Sequence, residues 1–565
     1  MKKSMNRRDF LKQTAKTAAV AGLGGCGPLL QGCAAKKTYD LVITDALVYD
    51  GRGGRPFEAD IGIAAAAIQT VGKVKGSLGR LVIEAKGLAV SPGFIDVHDH
   101  TDVGLIVNPK AESVIHQGIT TLVSGNCGGS VFPVPDSIFE ELKENAKTVY
   151  GLDLNWRDMA GFFGRLEEKG IALNYSTLVG QGSIRGATMG FNDRPPTPEE
   201  LEKMKGLVEE HMRAGVFGLS SGLMYTPGCF ARPGELTELC RVVAKYNGMY
   251  ATHMRDEEEG ILESLDESIG TARNSGARLQ IAHLKVSGYR NWAKVDAALA
   301  KIDLAKQQGV DIFCDRYSYI ASSTGLSSYF PLWALEGKTE DFLRRLQDPA
   351  LEARLRAHLA TVEDRLGSWD KVLISEVFLE KNKPLQGKNI LEAAREMGKQ
   401  PYDFIRDLLI EEKAMVGRIA FFGSEDVLKK ILAHPLVGVG CDGSALAPYG
   451  ILSRGKPHPR SYGTFPRALG KYVREEKIVP LEEMIKKMTA IPASRFGFDK
   501  RGLLQPGYYA DMVVFNPDKI ADRATWVNPH QYPVGVEYVI VNGQVVVEHG
   551  EHTGRLPGKI LRKNV

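Results

Sequence analysis

Cysteine is scarce in this chain: there are seven in 565 residues. Two of them, Cys26 and Cys33, fall in the leading segment, so a disulfide framework is excluded as the source of stability. No apolar run reaches the roughly 20 residues of a membrane-spanning helix, and neither an internal repeat nor a low-complexity tract interrupts the body. An excess of one charge is missing too. Lys and Arg number 72 against 68 Asp and Glu, a net charge of +4. The first 33 residues alone carry +5 (Lys2, Lys3, Arg7, Arg8, Lys12 and Lys16 against Asp9), leaving −1 for the rest. A broad nucleic-acid footprint needs clustered surplus cations, so none is expected. A small-molecule substrate is the expected partner. What is present, 43% hydrophobic and 25% charged residues, describes an ordinary soluble enzyme. The length exceeds the roughly 250–300 residues at which one core stops growing, so two or three domains are expected.

Residues 1–33 read as an export address. A basic start leads through Asn6-Arg7-Arg8-Asp9-Phe10-Leu11-Lys12 to a small-residue apolar stretch at 17–30, too short to span a bilayer. The segment resembles a bacterial twin-arginine signal, and Cys33 or Cys26 is a candidate for lipidation. The expectation is a protein exported to the periplasm or cell surface and tethered to a membrane.

Both ends of the remaining chain are rich in β signals, at 39–90 and 510–547. Between them apolar runs at 118–124, 172–179, 218–220, 249–252, 279–282, 310–313 and 437–440 alternate with helical stretches such as 198–214. Repeated β-then-α units predict a parallel sheet with crossover helices, and their number suits a (β/α)₈ barrel. The expected fold is therefore α/β, with a TIM-like barrel over residues 91–489. A small β-sandwich would be formed by 34–90 and 490–565. Charged helical periodicity over 322–417 predicts a helical insertion in a late barrel loop, above the C-terminal mouth.

The strongest local signal is Ser91-Pro-Gly-Phe-Ile-Asp-Val-His98-Asp99-His100. Side chains alternate along a strand, so His98 and His100 point the same way and reach one cation together. Cys127, His253, His283 and Asp442 follow other apolar runs. In a barrel those strand ends converge at one mouth. A lone Cys127 would more often be a buried small hydrophobe; six ligand-type residues at five strand ends shift the balance. Imidazole, thiolate and carboxylate together suit Zn²⁺ better than Mg²⁺ or Ca²⁺.

The motifs His98-Asp-His100, Gly125-Asn-Cys127-Gly, Gly218-Leu-Ser-Ser-Gly-Leu-Met-Tyr225, Ala251-Thr-His253-Met-Arg, His283-Leu-Lys285, Asp315-Arg-Tyr317 and His458-Pro-Arg460 resemble the amidohydrolase superfamily, in particular its N-acyl-D-amino-acid deacylase branch. The resemblance runs over nearly the whole chain after the leader. It implies a tight zinc on Cys127, His253 and His283, and a second, weaker site on His98, His100 and Asp442 that shares the thiolate. Asp442 would serve as general base and acid. Lys285, Arg460 and the Tyr317 hydroxyl would receive the substrate carboxylate, and Tyr225 would line a pocket. The chain departs from the family at Gln181, where a His is usual; its amide is expected to donate to a substrate oxygen. The implied activity is hydrolysis of N-acyl-D-amino acids. The alternatives are a dipeptidase for peptides ending in a D-residue, a cyclic-amide hydrolase of hydantoinase or dihydroorotase type, and a binding lipoprotein with a vestigial metal site.

Overall fold

Eight short strands run parallel around one axis in a computed structural model that describes residues 39–564. The first three are Phe94–Asp96, Ile119–Ser124 and the interrupted pair Asn174–Thr177 and Val179–Gly180. Gly218–Gly222, Met249–His253, Arg278–Ile281, Ile312–Arg316 and Val437–Val439 follow. Each pairs in parallel with the next. The eighth closes onto the first: Asp99 and Gly443 form a parallel bridge, and Asp442 N–H donates to the His98 carbonyl at 2.7 Å. The barrel read from the alternating pattern is therefore closed.

The crossover helices follow from local chemistry. In Pro198–Ala214, Thr197 accepts from Glu200 N–H while the Glu200 side chain accepts from Thr197 N–H, a capping box. Pro198 presets the first turn, and Gly215 ends the helix at φ +101°. Met204, Val208, His211 and Met212 form its buried stripe. The main core lies between such helices and the barrel strands.

The two ends of the described residues meet in one nine-stranded sheet, joined where Ala89–Pro92 pairs antiparallel with Met512–Phe515. Strand alternation serves two cores here. Met512 and Val514 face the β domain's own cluster with Leu41, Ile43 and Ile61, while Val513 and Phe515 face the barrel core.

Between the seventh and eighth strands lies the expected insertion. It contains five α-helices, the longest Pro349–Leu366, around a separate core that includes Leu355, Leu359, Trp369 and Ile405. It also contains a three-stranded antiparallel sheet, Ala321–Gly325, Gly417–Phe421 and Val372–Glu376 in spatial order. The helical reading missed these strands because Ala321-Ser-Ser-Thr-Gly325 has no apolar alternation and the other two are five residues each. The leader, with Arg7, Arg8, Cys26 and Cys33, lies outside the described residues. Among the described residues all five cysteines are unpaired, and no helix is long and apolar enough to cross a membrane.

Candidate metal centre

The C-terminal strand ends bring His98, His100, Cys127, His253, His283 and Asp442 to one side of the barrel. His253 ends its strand, whereas Cys127, His283 and Asp442 sit just beyond theirs with φ of +51°, +35° and +51°. This left-handed backbone turns each side chain inward, and it is costly for a non-glycine residue, so it persists where surrounding contacts impose it. For Cys127 these contacts are explicit. Gly128 N–H donates to Ser220 Oγ at 3.1 Å. Gly222 packs so closely that a Cβ there would lie 2.0 Å from the Cys127 carbonyl oxygen.

Cys127 Sγ is 3.6 Å from both His253 Nδ1 and His283 Nε2, and those nitrogens are 2.8 Å apart. Bonds of about 2.0–2.1 Å to nitrogen and about 2.3 Å to sulfur at tetrahedral angles place sulfur and nitrogen about 3.5 Å apart. The sulfur–nitrogen spacing thus fits a shared cation; the nitrogen pair is tighter than such a site requires. On the other side of the thiolate, His98 Nε2 lies 3.3 Å from Sγ and 3.3 Å from Asp442 Oδ1, and His100 Nε2 lies 3.1 Å from the same oxygen. His98, Cys127, His283 and Asp442 form one potential ligand group and His253, Glu257 and His283 another. Soft and borderline donors with a single carboxylate are the ligands of a transition-type metal.

The electrostatics suit a cation. Burial disfavours the Cys127 thiolate, but His98, then contacts from His100, His253 and His283, outweigh it and hold the pKa well below the ordinary thiol value. Burial likewise opposes ionisation of Asp442, yet Arg460 foremost, with His283 and His98, keeps it well below the carboxylate range. The same anions act back on the rings. Against the effect of burial, Asp442 and Cys127 lift His100 to about 10. Glu257 and Asp442 lift His283 to about 9, against burial and Lys285.

Two supporting carboxylates had no role in the sequence reading. Asp315 accepts from His98 Nδ1 at 3.1 Å and from His283 N–H at 2.8 Å, fixing the ring that faces Cys127. Its position at the end of the seventh strand was the available signal. Glu257 lies 3.0 Å from His283 Nδ1 and 2.7 Å from Lys285 Nζ. It sits in a loop four residues after His253, where strand periodicity gives no guidance.

The residues nominated for substrate are all close by. Lys285 is 5% exposed and bonded to Glu257. Arg460 Nη1 donates to Asp442 Oδ2 at 2.6 Å. Tyr317 is fully buried and its hydroxyl has no partner among the described residues. Tyr225 stacks edge-on to His253, centroids 4.9 Å apart. Lys285, Arg460 and Tyr225 line a cavity of about 790 Å³ that also reaches Tyr329, Arg365 and Arg418 of the insertion. Gln181 is a correction: its amide donates to Glu235 Oε1 at 2.8 Å, inside a buried network with Arg185, and does not face this cavity.

A closed parallel barrel with a histidine–cysteine–carboxylate centre at its C-terminal mouth defines a metal-dependent enzyme. Comparison with known proteins narrows the class. The model of the amidohydrolase family matches residues 81–547. D-aminoacylase of Alcaligenes xylosoxydans xylosoxydans is 33% identical over 529 residues, 93% of this chain and 98% of its own. The N-acyl-D-glutamate deacylase of the same organism is 33% identical, covering 94% and 98%. Among solved structures, the N-acyl-D-glutamate deacylase of Bordetella bronchiseptica, complexed with zinc and a phosphonate mimic of the tetrahedral intermediate, superposes with a TM-score of 0.79. It is 34% identical, covering 93% of this chain and all of the other. The chain belongs to the amidohydrolase family, in its D-aminoacylase branch.

Proposed function

We propose that this protein hydrolyses the amide bond of N-acyl-D-amino acids. Water adds to the acyl carbon, the C–N bond breaks, and a carboxylate and a free D-amino acid leave. The observation that carries the reading is the Cys127, His253 and His283 triangle, open to a cavity whose nearest cations are Lys285 and Arg460. Likeness over almost the whole chain to deacylases of N-acyl-D-amino acids supports it.

Cys127, His253 and His283 would hold the tighter zinc, and His98, His100 and Asp442 a weaker one sharing the thiolate. Bound there, zinc supplies a Lewis acid for the scissile carbonyl and for water activation. Asp442, kept ionised by Arg460, accepts a proton from the attacking water and delivers it to the departing nitrogen. Lys285, Arg460 and the unspent Tyr317 hydroxyl receive the α-carboxylate. Charge-assisted bonds to a carboxylate are about twice as strong as neutral ones, so a substrate lacking it binds less well. The leader extends the proposal: Arg7-Arg8 and Cys33 or Cys26 support export and a lipid tether outside the cytoplasm.

The test is amine release from zinc-loaded protein with N-acetyl-D-amino acids, their L-enantiomers and a hydantoin. Turnover confined to D-amides supports the proposal. Hydantoin turnover without linear amide cleavage moves the protein to the cyclic-amide class.

A further inference from the structure

The proposed orientation sends the substrate carboxylate toward Lys285 and Arg460, and a second cavity, which neither of them lines, adjoins the metal centre. It measures about 600 Å³ and shares His100, Cys127, Tyr150 and Tyr225 with the main cavity, so both open onto the metal centre. Its wall includes Val131, Ile138, Leu142, Val149, Leu154 and Trp156. Trp156 spends its one polar group on the Val131 carbonyl, Nε1 to O at 3.0 Å, which leaves its ring as apolar surface. No Lys or Arg among the described residues lines this cavity, and its one carboxylate, Asp102, already accepts a hydrogen bond from the Tyr175 hydroxyl.

We propose that this cavity is the acyl site and that it takes an unbranched alkyl chain of medium length, such as octanoyl. The inference rests on the deacylase reading. An amide links a carboxylate-bearing half to an acyl half that departs the other way from the carbonyl. With the first half held by cations in the main cavity, the second enters the apolar one. Acetyl, with one methyl beyond the carbonyl, leaves most of that volume unfilled. An aminoacyl group would set an ammonium beside the carbonyl, where the cavity's single carboxylate is engaged by Tyr175.

The experiment compares kcat/KM for N-acetyl, N-butanoyl, N-hexanoyl and N-octanoyl derivatives of one D-amino acid, using full-length zinc-loaded protein. At about 0.8 kcal/mol per buried methylene, each added CH₂ is expected to raise kcat/KM about fourfold. Ala146→Phe, on the wall helix Phe139–Tyr150 and not itself a proposed metal ligand, should erase the octanoyl advantage and spare acetyl turnover. Should that variant not fold, inhibition of the unaltered protein by octanoate against acetate reads the same site, with octanoate expected to bind tighter. A profile flat from acetyl to octanoyl, or preference for an L-aminoacyl group, overturns the inference and leaves deacylation standing. Failure to turn over any member of the series overturns the deacylase reading itself, and equal binding of octanoate and acetate then overturns the acyl site as well.

Discussion

Asp442→Asn keeps the shape of the side chain and removes its charge, and so separates proton transfer from zinc binding at Cys127, His253 and His283. Asp442 is 7% exposed and meets Arg460 Nη1 at 2.6 Å and His100 Nε2 at 3.1 Å. The single amide oxygen can still accept from Arg460, while the amide nitrogen turns a donor toward His100 in place of Oδ1; neither atom is a base strong enough to take a proton from water. Loss of a positioned general base costs about 10²–10⁴ in rate, or roughly 3–5 kcal/mol of barrier. Arg460, left against a neutral partner in a buried site, adds a stability cost of about 1–3 kcal/mol. Cys127, His253 and His283 are untouched, so bound zinc should stay near one per chain. The assay pairs kcat from amine release with metal analysis and urea unfolding. A kcat within about threefold of the parent removes Asp442 from the proton path. Loss of zinc along with kcat would make Asp442 a ligand of the tight site instead.

Other outcomes follow from the same geometry. Arg460→Met should raise KM for substrates with a free α-carboxylate more than for their methyl esters; equal damage to both would confine Arg460 to holding Asp442. The metal-free fold raises His100 to about 10 and His283 to about 9. Their protonated forms therefore stabilise it fully below their unfolded value of about 6.5, and that stabilisation is lost as pH rises through 9–10. At neutral pH a metal must displace these protons, so zinc titrated into apoprotein with an indicator dye should release protons, and its affinity should climb with pH. Zinc uptake without proton release contradicts that. Gly222→Ala should cost zinc and solubility, because its Cβ would collide with the Cys127 carbonyl at 2.0 Å; a variant that keeps full zinc content would show that the Cys127 loop relaxes.

The parts that were legible follow periodicity. His98 and His100 are two residues apart after an apolar run, and the runs before Cys127, His253, His283 and Asp442 become barrel strands whose ends converge. Pairings between distant loops were not legible. Arg460 was read as a free clamp, yet it is bonded to Asp442 across the irregular connection after the eighth strand, and Lys285 is bonded to Glu257 on another loop; the course of such connections follows no local pattern. Asp315 stands at the end of a legible strand, but its pairing with His98 joins strands 217 residues apart, which periodicity does not encode. Gln181 was read as a donor to substrate, but Glu235, brought close by folding, accepts from it first. In the insertion, helical periodicity dominated three short strands whose pairing joins residues about 40 to 100 apart.

The most direct test is zinc K-edge X-ray absorption of protein loaded with one equivalent of zinc. The account predicts one sulfur ligand at about 2.3 Å with nitrogen and oxygen neighbours near 2.0–2.1 Å, and loss of the sulfur shell in Cys127→Ser. A zinc shell of nitrogen and oxygen alone in the unaltered protein would contradict it.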